Sequence, residues 1–239
     1  MGIYDIRSMG ERIQGNSYVG RGIVIGKSED GTKAVFAYFI MGRSENSRNR
    51  VFKIEGENVT IYPFDESKVE DPSLIIYSPV RKIGNHVIVT NGDQTDTIYD
   101  FIASGKTFEQ ALETRAFEPD APNFTPRISG ILNFGANDFG YKMSILKSAD
   151  EKGSACNRYT FDYAALCGLG HFIHTYNHDG NPIPTFTGEP ERVSIPNNIE
   201  EFFDDIWNNL DENNKISMYV RYTDLVTGEE QVKMINKNA

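Results

Sequence analysis

The sequence is poor in cysteine, in positive charge and in long apolar runs. Its two cysteines, Cys156 and Cys167, cannot build a disulfide framework and are most simply reduced thiols. No apolar run approaches the length of a membrane helix, and the first residues carry no signal-peptide pattern. A net charge of −10 and a pI near 4.9 argue against a nucleic-acid surface. We therefore expect a cytoplasmic protein that binds neither nucleic acid nor membranes.

The composition is that of an ordinary globular protein, with 39% hydrophobic and 24% charged residues. A length of 239 residues is enough for a sizeable core, and we expect one domain over residues 1–239. Residues 1–16 are polar and show little periodicity. They are predicted to form an N-terminal extension that packs loosely on the body.

Hairpin signals and alternating apolar residues predict many strands and few helices. The predicted strands are 18–27, 33–41, 51–55, 58–64, 86–91, 127–134, 139–147, 154–161, 170–176, 215–223 and 229–235, with a short apolar segment at 74–78. The predicted helices are 93–103, 108–116 and 199–210. Antiparallel hairpins with helices gathered into separate runs indicate an α+β fold, although this pattern does not choose the topology.

The chain's most informative stretch is 89–98. An apolar strand ends there on Asn91-Gly92, a pair whose residues tolerate positive φ and favour a turn. A helix follows, with Asp93 or Thr95 available as N-cap and Asp96 in its first turn. Such a junction offers free backbone N–H groups and polar side chains to an anion or a polar heterocycle. An ordinary capped strand–turn–helix connection explains the same residues.

Two loops add charged residues to this picture. The loop 42–50 contains three arginines between small polar residues, as in a bidentate phosphate clamp, although a solvated loop has the same composition. The loop 118–126 contains three prolines, which predicts a rigid extended segment, and it leads to Arg127 at the start of an apolar run.

Together these stretches resemble the archaeal-type IMP cyclohydrolase family, enzymes of purine biosynthesis. The matching motifs are Tyr-Val-Gly-Arg at 18–21, Asn-Arg at 49–50, the block 90–98 and Thr-Pro-Arg-Ile at 125–128, all in the family's order. The resemblance covers about residues 17–147. The block and the Thr-Pro-Arg-Ile motif are the specific parts, whereas the two short arginine motifs alone are weak signals.

The resemblance implies a four-layer αββα sandwich like that of the N-terminal-nucleophile hydrolases, without their nucleophile. It also implies closure of formamido-imidazole-carboxamide ribonucleotide (FAICAR) to IMP with loss of water. An amide nitrogen is a poor nucleophile, so the reaction needs orientation, proton removal and donors for the developing negative charge. Side chains suffice for these roles, and we expect no cofactor, no metal and no covalent intermediate.

The family motifs assign roles to nine residues here. Arg50 would serve as an electrophile or phosphate ligand, Tyr77 would polarise the formyl oxygen or relay a proton, and Glu118 would act as general base or orient the carboxamide. The expected substrate-binding residues are Arg21, Asn91, Asp93, Thr95, Asp96 and Arg127. Arg21, Arg50, Tyr77, Glu118 and Arg127 should then converge on one cleft beside the junction at 91–96. One departure is Gln94, which stands where archaeal relatives often carry histidine.

Other readings remain open at this stage. A purine-nucleotide binding protein without catalytic activity would keep the arginines. An amidohydrolase on the same sandwich would need an N-terminal Cys, Ser or Thr, and the start Met1-Gly2-Ile3 does not provide one. The spacing of His171, His174 and His178 is compatible with a metal site, but a turn-like sequence follows His174, and a strand would point the first two histidines to opposite faces. Homo-oligomerisation is also left open.

Overall fold

The computed structural model describes residues 2, 4–68 and 76–238 of the chain. Two antiparallel sheets dominate this part of the protein, with a small number of helices. This confirms the predicted mixed fold of antiparallel strands and few helices. None of the described helices is long and apolar enough to cross a membrane.

The first sheet takes its strands from both ends of the chain. Its strands are β1 (Arg21–Lys27), β2 (Lys33–Met41), β10 (Leu169–His174), β11 (Glu191–Ser194), β12 (Lys215–Asp224) and β13 (Glu230–Asn236). Their order is β11-β10-β1-β2-β12-β13. The central pair, β1 and β2, is the hairpin predicted around Gly31, whose φ of 73° places it in the left-handed region.

The second sheet is a meander in which every strand pairs with its neighbours in sequence. Its strands are β3 (Val51–Glu55), β4 (Asn58–Tyr62), β5 (Val80–Ile83), β6 (His86–Thr90), β7 (Arg127–Phe134), β8 (Phe139–Ser148) and β9 (Cys156–Ala164). The connection from β6 to β7 contains two helices and the proline-rich loop.

The described residues form five α-helices outside the two sheets. They are α1 (Met9–Ile13), α2 (Glu45–Arg48), α3 (Gln94–Ala103), α4 (Phe108–Glu113) and α5 (Ile199–Asn209), and a 3-10 turn spans Glu66–Lys68. The capping box predicted at the start of α4 is present, because Thr107 and Gln110 cap each other's backbone N–H groups. Asn198 caps α5 through the backbone N–H of Glu200.

Three hydrophobic clusters bury the apolar faces of these elements. The largest contains side chains from both sheets, such as Ile23 and Tyr38 of the first and Val89 and Ile145 of the second. A further cluster joins the first sheet to α1 and α5, and another joins the second sheet to α3 and α4. Each sheet therefore packs against the other sheet through one face and against helices through the opposite face.

A side chain near the C-terminus ties the two sheets together at one edge. The Asn236 amide accepts a hydrogen bond from the Phe52 backbone N–H at 2.7 Å and donates to the Phe52 carbonyl at 3.0 Å. Phe52 lies on the edge strand of the second sheet and Asn236 on that of the first, so one asparagine satisfies backbone groups that an edge strand leaves free.

Several expectations about local structure are wrong. The loose packing predicted for residues 1–16 is not found at α1, where Met9 and Ile13 are buried against α5 at 0% and 1% exposure. The polarity of the segment concealed this, since only two apolar residues anchor a five-residue helix. The short strands β5 and β11 were not predicted. The predicted segment 74–78 lies partly outside the described residues, and its described part, 76–78, forms no strand.

Candidate active site

A partly buried polar centre lies near the junction of the two sheets. It contains two arginines, two tyrosines and a carboxyl, contributed by widely separated parts of the chain: Arg21, Tyr38, Arg50, Tyr77 and Glu118. Electrostatic interactions among these groups contribute to the pKa shifts of Arg21, Tyr38, Arg50 and Glu118. Arg127 also interacts with Glu118, so all five residues predicted to converge lie near one another, together with Tyr38, which sequence reasoning missed.

The first sheet supplies Arg21 and Tyr38. Arg21 begins β1, and Gly20 immediately before it has a φ of 78°. A side chain at Gly20 would collide with the Thr175 hydroxyl and the Tyr176 ring, which explains the glycine of the Tyr-Val-Gly-Arg motif. Tyr38 faces the inter-sheet core on β2, and its ring stacks on Phe52 at 5.6 Å between centroids.

Tyr77 links this centre to the end of β6. Its hydroxyl donates to the Asn91 carbonyl at 2.8 Å and lies 3.3 Å from the Tyr38 hydroxyl. Its own carbonyl accepts from the Ile61 N–H at 2.9 Å, which fixes the backbone beside β4. Tyr77 is therefore a hydrogen-bonded residue of the polar centre as well as a packing contact of the inter-sheet core.

The two arginines of the centre are not neutralised by carboxylates in the part of the chain that the structure describes, where neither Arg21 nor Arg50 forms an ion pair. The Arg50 Nε atom is buried and has no hydrogen-bond partner. Burial and the positive charge of Arg21 lower the pKa of Arg50. For Arg21, burial opposes the charge, but the oxygens of Tyr18, Tyr77, Tyr38 and Glu118 favour it, and the pKa is raised. Both groups remain cationic at neutral pH.

A turn in the proline-rich loop carries Glu118 into the centre. The Glu118 N–H donates to the Thr125 carbonyl at 2.9 Å, while the Asp120 carboxylate accepts from the Thr125 N–H at 2.6 Å and from its hydroxyl. The Thr125 hydroxyl also lies 2.6 Å from the Tyr176 hydroxyl. The loop is thus a compact turn with its ends bonded together, not the extended segment predicted from its prolines.

Glu118 is mostly buried, and its burial raises the pKa of the carboxyl. The positive charges of Arg127, Arg21 and Arg50 lower it, while the negative charge of Asp120 raises it further. Burial dominates, so Glu118 holds a proton at higher pH than an exposed glutamate does. A carboxyl with a raised pKa is a suitable proton acceptor near neutral pH.

Asn91 and Gly92 organise the junction between β6 and α3. The Asn91 amide donates to the Pro126 carbonyl at 2.9 Å and accepts from the Ile128 N–H at 2.9 Å, which joins the junction to β7. The predicted positive φ is not found at either residue. Glycine is needed at 92 for space, because a Cβ there would collide with the Arg127 guanidinium and come within 2.6 Å of the Gln94 side-chain oxygen.

Arg127 lies between two acceptors at this junction. Its Nη1 donates to the Gln94 side-chain oxygen at 2.6 Å and lies 2.7 Å from the Asp93 carboxylate. Asp93 also pairs with Arg115 at 2.5 Å. Burial raises the pKa of Asp93, but the two arginines lower it more, and the net shift is downward. Asp93 is the N-cap residue of α3, yet its side chain binds arginines instead of capping the helix.

Thr95 and Asp96 have other partners. The Thr95 hydroxyl is buried, bonding the Gly92 carbonyl at 2.9 Å and the Thr90 hydroxyl at 2.6 Å. Asp96 is more than half exposed and pairs with Arg81 at 2.6 Å, and Arg81 lies over the Tyr99 ring. Within the described residues, neither side chain forms a hydrogen bond or ion pair with the centre around Arg50, so their substrate-binding roles remain predictions.

Sequence reasoning missed Tyr38 because it lies inside an uninterrupted apolar strand, where a tyrosine predicts packing. Its local sequence carries no signal of a site residue. Tyr18 and Tyr176 also border the centre. Their rings stack at 5.7 Å between centroids, and the Tyr18 hydroxyl accepts from Arg21 at 3.5 Å.

The three histidines have separate surroundings. The His171 Nδ1 atom lies 2.7 Å from the Tyr141 hydroxyl in the inter-sheet core, whereas His174 Nδ1 lies 2.7 Å from the Tyr176 carbonyl on the opposite face of β10. His178 is exposed. Among the described residues, no three His, Cys, Asp or Glu side chains are grouped to hold a metal ion.

Comparison with known proteins agrees with the motifs that build this centre. Residues 18–229 match the family described as IMP cyclohydrolase-like protein. Proteins named IMP cyclohydrolase from Methanococcus aeolicus and Methanococcus maripaludis are 34% and 36% identical over 128 and 129 residues, each match covering 52% of this chain and 62% of the relative. The protein of that name from Methanopyrus kandleri is 37% identical over 116 residues, covering 47% and 57%. These matches span less than two thirds of each relative's length. Because the family match covers most of the chain, including every residue of the polar centre, the chain belongs to the IMP cyclohydrolase-like protein family.

Proposed function

We propose that this chain is an IMP cyclohydrolase, which closes FAICAR to IMP with loss of water. The observation that carries the proposal is the polar centre in which Arg21 and Arg50 lie beside Tyr77 and Glu118. Neither arginine forms an ion pair among the described residues. The relatives named IMP cyclohydrolase support the same activity.

In the ring closure the carboxamide nitrogen attacks the formyl carbon and a C–N bond forms. The carboxamide nitrogen and the formamide nitrogen each lose one proton, and the formyl oxygen takes up two protons and leaves as water as a C=N bond replaces its bonds to carbon. Glu118 accepts the proton from the attacking carboxamide nitrogen, since its raised pKa makes it a better base than an exposed glutamate. On substrate binding, Tyr77 turns its single hydroxyl proton from the Asn91 carbonyl to the formyl oxygen, where negative charge develops.

The arginines bind the substrate and stabilise this charge. The unpartnered Nε of Arg50 is a buried donor available to a ligand oxygen. Arg21 supplies a second positive charge in the same centre. Arg127, held by Gln94 and Asp93, supports the junction at the floor of the site and contacts the nucleotide together with Asn91.

The packing of the sheets supports the more detailed fold proposal, a four-layer αββα sandwich resembling the N-terminal-nucleophile hydrolases. The two sheets share one core, and α1 with α5 and α3 with α4 lie on their outer faces. Such a fold would present the polar centre without an N-terminal nucleophile. We further propose that the protein acts in the cytoplasm and needs neither metal nor cofactor.

The direct test is incubation with FAICAR in the presence of a chelator, with the purine absorbance followed over time. We expect IMP to form without added metal or nucleotide. Activity abolished by the chelator and restored by a divalent metal would refute the metal-free mechanism. Tight binding of IMP without turnover would favour the non-catalytic alternative, and amide hydrolysis without ring closure would favour the amidohydrolase.

Arginine variants test the site. Arg50→Ala and Arg21→Ala should each lower kcat/KM at least about tenfold, because a charge-assisted contact is worth about 1.5–3 kcal/mol. Arg48→Ala is the matched control, since Arg48 lies on α2 two residues away and bonds to the Gly42 carbonyl and to Asn214. Wild-type kcat/KM in the Arg50 and Arg21 variants would show that the arginines are structural.

A further inference from the structure

The last strand of the second sheet has an unpaired outer edge. Within the described part of the chain, β9 pairs with β8 alone, over nine residues from Cys156 to Ala164. Five of its nine residues are exposed and the other four are partly buried, and Tyr159 is 45% exposed. The strand contains no proline, glycine or lysine, the residues with which proteins commonly block an open edge.

Two of the other sheet edges in the described structure are covered. Arg7 forms a parallel bridge with Val193 of β11, and its carbonyl accepts from the Ser194 N–H at 2.8 Å. Asn236 covers the backbone of β3 at Phe52. The edge of β9 is longer than either of these and has no comparable cover among the described residues.

The backbone register shows which groups of β9 face outward. Ala149 donates to the Ala155 carbonyl at 2.9 Å, directly before the β8–β9 ladder and in the same register. Because antiparallel strands alternate between bonded and non-bonded pairs, the odd-numbered residues of β9 bond to β8. The N–H and C=O groups of the even-numbered residues therefore point away from the sheet. The Cys156 carbonyl accepts from the Arg158 Nη1 at 3.2 Å on that outer side.

The sequence of β9 is complementary to itself when it is reversed about its central residue, Thr160. In an antiparallel pair of two copies centred there, all nine residues overlap and the outward-facing even residues form the bonded pairs. Arg158 of each copy then lies opposite Asp162 of the other, on the face towards the helices. On the opposite face, Tyr159 lies across from Phe161. Opposite charges and paired aromatic rings are both favourable cross-strand contacts.

Charge and geometry are consistent with this arrangement. The Asp162 side chain is 71% exposed and has only a 3.4 Å contact to Lys142, so it is free to receive a second cation. Arg158 donates to the Leu112 carbonyl at 3.4 Å and to the Arg115 carbonyl at 2.7 Å through two of its nitrogens, and to the Cys156 carbonyl through the third. Only the bond to the Cys156 carbonyl must be released when a partner strand arrives.

We propose that β9 is a dimer interface at which a second copy of this chain pairs antiparallel about Thr160, joining the two seven-stranded sheets into one continuous sheet. The full-length overlap, the outward backbone groups and the Arg158–Asp162 complementarity together select a copy of the same chain over an unrelated partner. This proposal is independent of the catalytic one.

The first test is sedimentation equilibrium of the full chain with the variants Thr160→Pro and Thr160→Ala. Proline removes an outward N–H that makes no bond to β8, so the fold should survive while the partner strand loses its central hydrogen bonds. Alanine keeps this N–H and is the matched control. We expect a dimer for the wild type and for the alanine variant, and at least a tenfold weaker dimer for the proline variant. A wild-type chain that sediments as a monomer at about 100 µM would overturn the proposal.

The second test is a charge exchange, which does not depend on proline. Arg158→Asp and Asp162→Arg each place like charges opposite one another across the two-fold axis, and each should weaken the dimer at least tenfold. The double variant restores opposite charges and should recover most of the wild-type affinity. Thermal unfolding of each variant by circular dichroism checks that the fold is intact. Dimers of unchanged affinity in both single variants, or no recovery in a folded double variant, would show that the copies do not meet in this register.

Discussion

Replacing Tyr77 with phenylalanine separates its catalytic role from its structural one. The Tyr77 hydroxyl donates to the Asn91 carbonyl at 2.8 Å, and Asn91 is 4% exposed. A buried acceptor that loses its donor costs about 1–3 kcal/mol. We therefore expect the free energy of unfolding, measured in urea, to fall by that amount. If this hydroxyl proton turns to the formyl oxygen when substrate binds, kcat should fall by about 10²–10⁴, as is typical for loss of a proton-donating group.

Tyr38→Phe is the matched control. It removes only the 3.3 Å contact with the Tyr77 hydroxyl and leaves the Tyr77–Asn91 hydrogen bond intact. The expected cost is about 0.5–1.5 kcal/mol of stability, with kcat reduced much less than in Tyr77→Phe. Both enzymes are assayed with FAICAR under conditions where each is fully folded. A Tyr77→Phe enzyme with wild-type kcat/KM would refute the catalytic assignment and leave Tyr77 as a core residue.

Three further predictions concern groups in other parts of the structure. Burial raises the pKa of Glu118, so the protonated form stabilises the fold at low pH and this stabilisation is lost as pH rises through the raised pKa. Glu118→Gln should then be more stable than wild type at pH 7, as stable near pH 4, and nearly inactive with FAICAR; lower stability at pH 7 would contradict the assigned direction of the shift. Met9→Ala should lower the unfolding free energy in urea by about 2–5 kcal/mol, because Met9 is fully buried, whereas an unchanged midpoint would mean that α1 contributes nothing. Cys156 and Cys167 are free thiols, and the double variant to serine should keep its activity with FAICAR, whereas a folded but inactive double variant would refute the non-covalent mechanism.

The sequence predicted the ladders well where turn chemistry and alternation agreed. The hairpins at 21–41, 127–148 and 215–236 have nearly the predicted bounds, because glycine or short polar turns separate long alternating or apolar runs. Two strands of four residues each, β5 (Val80–Ile83) and β11 (Glu191–Ser194), were not predicted, since so short a segment carries no clear period of its own.

The site was predictable only as a set of residues, not as an arrangement. Family motifs named Arg21, Arg50, Tyr77 and Glu118, but no local pattern shows that they share one polar centre. Tyr38 joins them through a contact between residues 39 positions apart, and its sequence context indicates only a core strand. Asp96 had the same motif support as its neighbours, yet it pairs with Arg81, because side chains on successive helix positions point in different directions.

The different connectivity of the two sheets has a consequence for folding during synthesis. The meander from β3 to β9 uses only residues 51–164, so each new strand finds its partner already made. The other sheet cannot be completed until late, because β2 pairs with β12 on one side. The hydrogen bonds between Phe52 and Asn236 likewise join positions 184 residues apart. Since closing distant contacts is slow, the meander should form first and expose its apolar inner face until the last strands leave the ribosome. Arg21 and Tyr38 belong to the late sheet and Glu118 to the loop before β7 of the early one, so the polar centre is assembled only at the end.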